Sequence, residues 1–263
     1  MIEHAALGWW TPALAYGVSV LGSFIGLMFA TRARSADGAS RWGWLALGAV
    51  SLGGAAVWSM HFIAMMGFRV NGMVIRYDPL LTVVSAAVAI AIMAAALAVV
   101  TLWRTLPALL AGGAAAGAGV VAMHYMGMAS MRMEGEMHHS TGFVAAACVI
   151  AVVAATVALW FARNLRSSGS IVAAAFVMGV AVAAMHYTGM MGVSVEGHSG
   201  SMSEIPGGMS ALDFLTPMIL GPGLFLALSA LLLLALPEEE RGRPRPRSRY
   251  GAVPAGRDTG LRS

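Results

Sequence analysis

Long apolar runs alternate with short polar connections along the whole chain. A segment of about 20 residues is needed to cross a hydrocarbon core. Runs of that order fall near 11–31, 43–67, 79–102, 107–128, 142–162, 170–191 and 214–236. This pattern predicts an all-α membrane protein with seven transmembrane helices. Trp9, Trp10, Trp42, Trp44 and Trp103 fall at proposed ends, where amphipathic rings prefer the headgroup zone. The first run reads as a true span rather than a cleaved leader: Met1–Trp10 has no basic stretch, and the apolar run is too long.

Polar residues interrupt the pattern at a regular interval. A six-residue motif, Met-His-(Phe/Tyr)-x-(Ala/Gly)-Met, closes the second, fourth and sixth runs. Its copies are 60–65, 123–128 and 185–190, and their histidines are 63 and then 62 residues apart. Even spacing of one polar residue at one depth marks an internal repeat. The expected architecture is therefore three repeated helix pairs plus one additional helix. Histidine within lipid marks a functional site by default.

Composition and charge set the class and the orientation. The chain is 59% hydrophobic and 11% charged, with a mean hydropathy of +0.77, against roughly 25% charged in a soluble domain. All 16 basic residues are arginine, and the single cysteine, Cys148, excludes an internal disulfide. The odd loops and the tail carry Arg32, Arg34, Arg41, Arg104, Arg163, Arg166 and seven more, whereas the even loops carry only Arg69, Arg76 and Arg132. Basic residues favour the cytoplasmic side, which predicts the N-terminus outside and the C-terminus inside. The motifs then lie in the outer leaflet.

Within each motif the histidine and the closing methionine are four apart and share a helix face. The pairs are His61 with Met65, His124 with Met128, and His186 with Met190. The leading Met60, Met123 and Met185 point about 100° away, reachable only from a neighbouring helix or with rotation. Imidazole and thioether without carboxylate or thiolate suit copper, Cu(I) above all. Besides Met1, 15 of 19 methionines lie in the motifs or the outer loops, an outward bias that core filling does not predict. His4, His138, His139 and His198 share that side. A single buried histidine is most often a packing or interhelical polar residue, and descent from a duplicated helix pair could preserve three such residues without function. Phe62, Tyr125 and Tyr187 read as interface anchors. Gly127 and Gly189, with Ala64 in the first copy, read as close-packing positions, as do Gly22-x-x-x-Gly26 and Gly113-x-x-x-Gly117.

The three motifs, their period, their placement and the extra helix resemble the bacterial MHYT domain family of integral membrane sensors. The likeness covers 1–236, a seven-helix membrane domain. It implies that Met60, His61, Met65, Met123, His124, Met128, Met185, His186 and Met190 bind copper and sense a diatomic gas or redox state. It also implies a multi-pass protein of the bacterial inner (plasma) membrane. The first copy has Phe62-Ile63 and the second Met126 where the motif name has Tyr-Thr or Thr. Many members continue into enzymatic signalling domains; here residues 237–263 read as a disordered Arg/Pro-rich cytoplasmic tail, suited to the anionic inner leaflet. No catalytic constellation is visible in the sequence, so no enzymatic activity is expected. The expected partners are the lipid bilayer and a separate cytoplasmic or membrane signalling protein, with no nucleic acid. A copper or other cation transporter is the second reading, and axial haem ligation by two histidines is the third.

Overall fold

A computed structural model describes residues 2–3, 6–70, 73–196 and 207–236. Among the described residues, seven helices are long and apolar enough to cross a membrane. The first is α1, Trp10–Ser35. The second span, Gly38–Met65, is continuous but changes its winding: α2 covers Gly38–Ala49, a π-helical segment covers Val50–Ser59, and α3 covers Met60–Met65. The others are α4, Pro79–Leu102; α5, Leu106–Ala129; α6, Thr141–Asn164; α7, Ser168–Met191; and α8, Ala211–Ala235. The seven apolar runs of the sequence thus correspond one to one with the observed spans. The tail expected from 237 onward lies outside the described residues, as do His4 and His198.

Local chemistry sets the helix starts. Asp78 accepts the Leu81 N–H ahead of Pro79. Thr105 accepts the Ala108 N–H ahead of Pro107, and the Ser167 hydroxyl accepts the Ser170 N–H. Each satisfies an amide that the first helical turn leaves without a partner, and proline is tolerated there because its missing N–H is not needed. In α8, Pro217 and Pro222 interrupt the backbone ladder inside the helix.

The first six spans close into a ring. Each packs on its neighbour in sequence, and α7 returns to α1; α8 packs outside, mainly on α1 and the π segment. Small residues permit the close approaches. Gly22 meets Ala56 and Gly26 meets Leu52, while Gly113 meets Thr156 and Gly117 meets Val152, so both Gly-x-x-x-Gly pairs serve packing. The second span is the most enclosed and has 28 residues, against 24 in α5 and in α7. Its π winding takes more residues per turn, so its 28 residues advance less along the axis than the same number in an α-helix would. Nothing in the sequence pattern foretold that segment.

Short strands cover the end of the ring where α3, α5 and α7 terminate. These are β1, Ile2–Glu3; β2, Arg69–Val70; β3, Arg76–Tyr77; β4, Met131–Arg132; β5, Glu136–His139; β6, Val193–Glu196; and β7, Met209–Ser210. They pair antiparallel as β1 with β2, β5 with β6, and β3 between β4 and β7. The connections that follow the motifs are thereby tied to one another.

Candidate metal centre

The repeat spacing becomes a side-chain cluster because α3, α5 and α7 end at one level and meet. His61, His124 and His186 are 1%, 1% and 2% exposed. Nδ1 of His61 lies 3.0 Å from Nδ1 of His186 and 3.2 Å from Nδ1 of His124. One nitrogen from each of the three lies within 4.8 Å of the other two. The rings stand edge to face, with centroids 4.9, 5.0 and 5.3 Å apart. Behind the facing edges, Nε2 of His61 and Nε2 of His124 are buried without a hydrogen-bond partner. Buried polar atoms are nearly always satisfied, so the cluster is one polar knot in an apolar interior.

A small cavity of about 10 Å³, barely room for one water, adjoins the knot. Its wall is built of three equivalent sets: Val57, Met60 and His61; Val120, Met123 and His124; Val182, Met185 and His186. The leading methionines therefore share the cavity wall with the histidines, although helix geometry sets them about 100° away, reachable from a neighbouring helix or with rotation. Met65, Met128 and Met190 pack elsewhere, in an apolar cluster with Phe62, Phe68, Tyr77, Met131 and Met218. The three valines escaped the sequence reading. Their signal was present as Val-x-x-Met-His, repeated in all three copies.

Three imidazoles can hold a cation. Metal–imidazole bonds are about 2.0–2.1 Å, so two nitrogens sharing one ion lie about 3.3–3.6 Å apart. The 3.0 and 3.2 Å separations need a slight opening, and the third pair, held within 4.8 Å, must come into the same range. The donor set fits a metal, and thioethers in the same wall fit a soft one. Among the described residues no second cluster of three His, Cys, Asp or Glu side chains comes together in this way.

The outer histidines stand apart from the knot. His138 Nε2 is 4.0 Å from Glu136 and 3.9 Å from Glu196 on the β5–β6 pair. His139 makes an edge contact with Tyr125, centroids 5.4 Å apart. Partial burial, with a smaller contribution from His138, holds the His139 pKa below the ordinary imidazole value. Asp78, which starts α4, also pairs with Arg132 at the start of the loop after α5. The Leu81 amide and then Arg132 hold its carboxyl below the usual carboxylate range.

The MHYT family model, described as a bacterial signalling protein N-terminal repeat, matches residues 54–113 and 117–175. The two matches start 63 residues apart, the interval between His61 and His124. The bifunctional diguanylate cyclase/cyclic di-GMP phosphodiesterase MucR of Pseudomonas aeruginosa is 37% identical over 182 residues, covering 66% of this chain and 26% of that protein. The cyclic di-GMP phosphodiesterase NbdA of the same organism is 32% identical over 214 residues, covering 76% of this chain and 26% of that protein. An uncharacterized signaling protein of Caulobacter vibrioides is 32% identical over 182 residues, covering 69% and 22%. The chain thus spans about a quarter of the length of the curated relatives it matches. No solved structure matches it.

Proposed function

The chain belongs to the MHYT family of bacterial signalling proteins, and from that premise we propose that its membrane domain is a sensor with one metal centre built on His61, His124 and His186. The observation that carries this is the convergence of three Nδ1 atoms around His61. Copper is the proposed ion, because Met60, Met123 and Met185 add thioethers to the wall and, among the described residues, no carboxylate or thiolate joins the cluster. Copper so held would supply a position for a diatomic ligand or a change of redox state. The chain's own residues hold and shield that position. Val57, Val120 and Val182 keep one side apolar, and the cluster of Met65, Met128 and Met190 with Phe68 and Tyr77 covers the other.

The spans are proposed to form three repeated pairs plus α8, with the motif end facing outward across a bacterial inner membrane. A separate membrane or cytoplasmic partner, or further domains such as those of the longer relatives, would receive the signal. The domain senses and does not catalyse. A copper transporter is less well supported, since no second ligand cluster continues from the triad among the described residues.

Metal analysis of protein purified without added chelator decides the proposal. The expected result is about one copper per chain, lost in the His61→Ala/His124→Ala/His186→Ala triple variant. Copper retained by a folded triple variant would overturn the site and leave the histidines as packing residues.

A further inference from the structure

We infer that Gly127 and Gly189 are positioning residues that aim the imidazoles, each motif's glycine serving as the seat for the histidine of the motif before it. This rests on the triad reading above. A Cβ added at Gly127 would stand 2.3 Å from His61 Nε2 and 2.8 Å from its Cδ2. One added at Gly189 would stand 2.5 Å from His124 Nε2. Ordinary carbon contacts begin near 3.5 Å, so a methyl and these rings cannot coexist as placed. The rings cannot retreat forward either, because His61 Nδ1 is already 3.0 and 3.2 Å from its two neighbours. A rigid ring held between a backbone and two other imidazoles has one way out, which is a new rotamer that turns Nδ1 away.

The seat and the ring it carries always lie on different helices. His61 of α3 rests on α5, and His124 of α5 rests on α7. The spacing of the motif helices therefore sets where each Nδ1 points. In the first motif the corresponding position is Ala64, buried beside Ile63 and Tyr187. Two of the three positions thus carry glycine, and they underlie the two rings whose Nε2 atoms are buried without partners.

The ring contacts make a prediction that simple loosening of helix packing does not. Gly189→Ala displaces His124 alone and leaves the His61–His186 contact, whereas Gly127→Ala displaces His61, which both short contacts share. Histidine-selective solid-state 15N NMR of the metal-free full chain in lipid reads the through-space dipolar couplings between the closely approaching Nδ1 atoms. Both are expected in the parent protein and in Gly17→Ala, where an added Cβ meets nothing within 4 Å. Gly189→Ala should lose only the His61–His124 coupling and Gly127→Ala both. Copper affinity should fall about 10- to 100-fold in each, the usual effect of a group that orients a ligand.

If Gly189→Ala keeps both couplings, or loses both together, the seats are packing positions and the inference is wrong. If Gly127→Ala is not recovered folded, Gly189→Ala decides alone. A parent protein that binds no copper yet shows this coupling pattern refutes the copper reading and leaves the seats standing. Unchanged couplings with tight copper binding do the reverse.

Discussion

His61 Nδ1 stands 3.0 Å from His186 Nδ1 although 125 residues separate them in the chain. His124 reaches the same atom of His61 at 3.2 Å. The triad therefore has a hub, and its members are unequal. All three single His→Ala variants should bind copper more weakly, by at least about 100-fold for loss of a direct ligand, given the 10- to 100-fold effect of groups one step removed. His61→Ala should be the most severe, because it removes the residue common to both short contacts. Equal retention of copper in His61→Ala and the parent, measured on folded protein, would remove His61 from the site.

The six motif methionines divide by position. Met60, Met123 and Met185 line the cavity with the histidines, and Met65, Met128 and Met190 pack among Phe68, Tyr77 and Met131. Replacing the first three together by leucine should weaken Cu(I) binding more than tenfold and change zinc binding little, because zinc gains little from thioether. The same exchange in the second three should leave copper affinity within about threefold. It should cost less than about 1.5 kcal/mol of stability per site, as for other swaps of similar volume. Competition titrations with a Cu(I) chelator separate the two sets.

The spans and the meeting of the three histidines were legible because lipid imposes one length on every helix and the repeat fixes the depth of the odd polar residue. The identity of the near methionine was not legible. Spacing put Met65 on the face of His61, but the packed structure places Met60 in the cavity wall and Met65 in the apolar cluster of Phe68 and Tyr77. The glycines were correctly read as close-packing positions. What they pack against, an imidazole of another motif, requires knowing which helices adjoin. The π segment before Met60 and the short strands over the motif end left no periodic trace, since each is shaped by neighbours distant in the chain.

Asp78 should make stability depend on pH at the acid end. Its carboxylate accepts the Leu81 amide and pairs with Arg132, and its pKa is lowered in the folded protein. A lowered native value means that the stabilisation is complete above the unfolded carboxylate value of about 3.9 and is lost as pH falls through the native value. Thermal unfolding in detergent should show a larger drop in midpoint between pH 7 and pH 3 for the parent than for Asp78→Asn. Parallel curves would show that this carboxylate contributes nothing beyond its background.

The arginine distribution predicts which end of the ring faces the cytoplasm. Reporter fusions at positions 36 and 167 should read as cytoplasmic, and so should one at 245. Fusions at 73, 136 and 202 should read as external. The strands and the triad would then lie toward the outside. A consistent external signal at 245 reverses the orientation and with it the outward placement of the site.

Contacts of α1 link the second span to α8 at the end opposite the triad. Ser51 of the π segment donates to the Gly22 carbonyl, 2.9 Å, and Gly22 lies against Ala56. At the far end of α1, Arg32 donates to the carbonyls of Leu233 and Leu236 at 3.1 and 2.9 Å, with its guanidinium 5.5 Å from the Trp44 ring. Arg32 therefore caps α8 while resting on the start of the second span. A ligand shifts a conformational equilibrium only through its different affinity for two states, and a centre at His61 can bias α8 through these contacts. Cysteines at Ser35 and Leu236, in a chain with Cys148→Ala, should crosslink with an efficiency that changes at least about twofold between copper-loaded and copper-free protein. Arg32→Gln should abolish that difference while leaving copper binding intact. Crosslinking that ignores copper in the parent, together with copper uptake into sealed vesicles, would end the sensor reading and move the protein to the transporters.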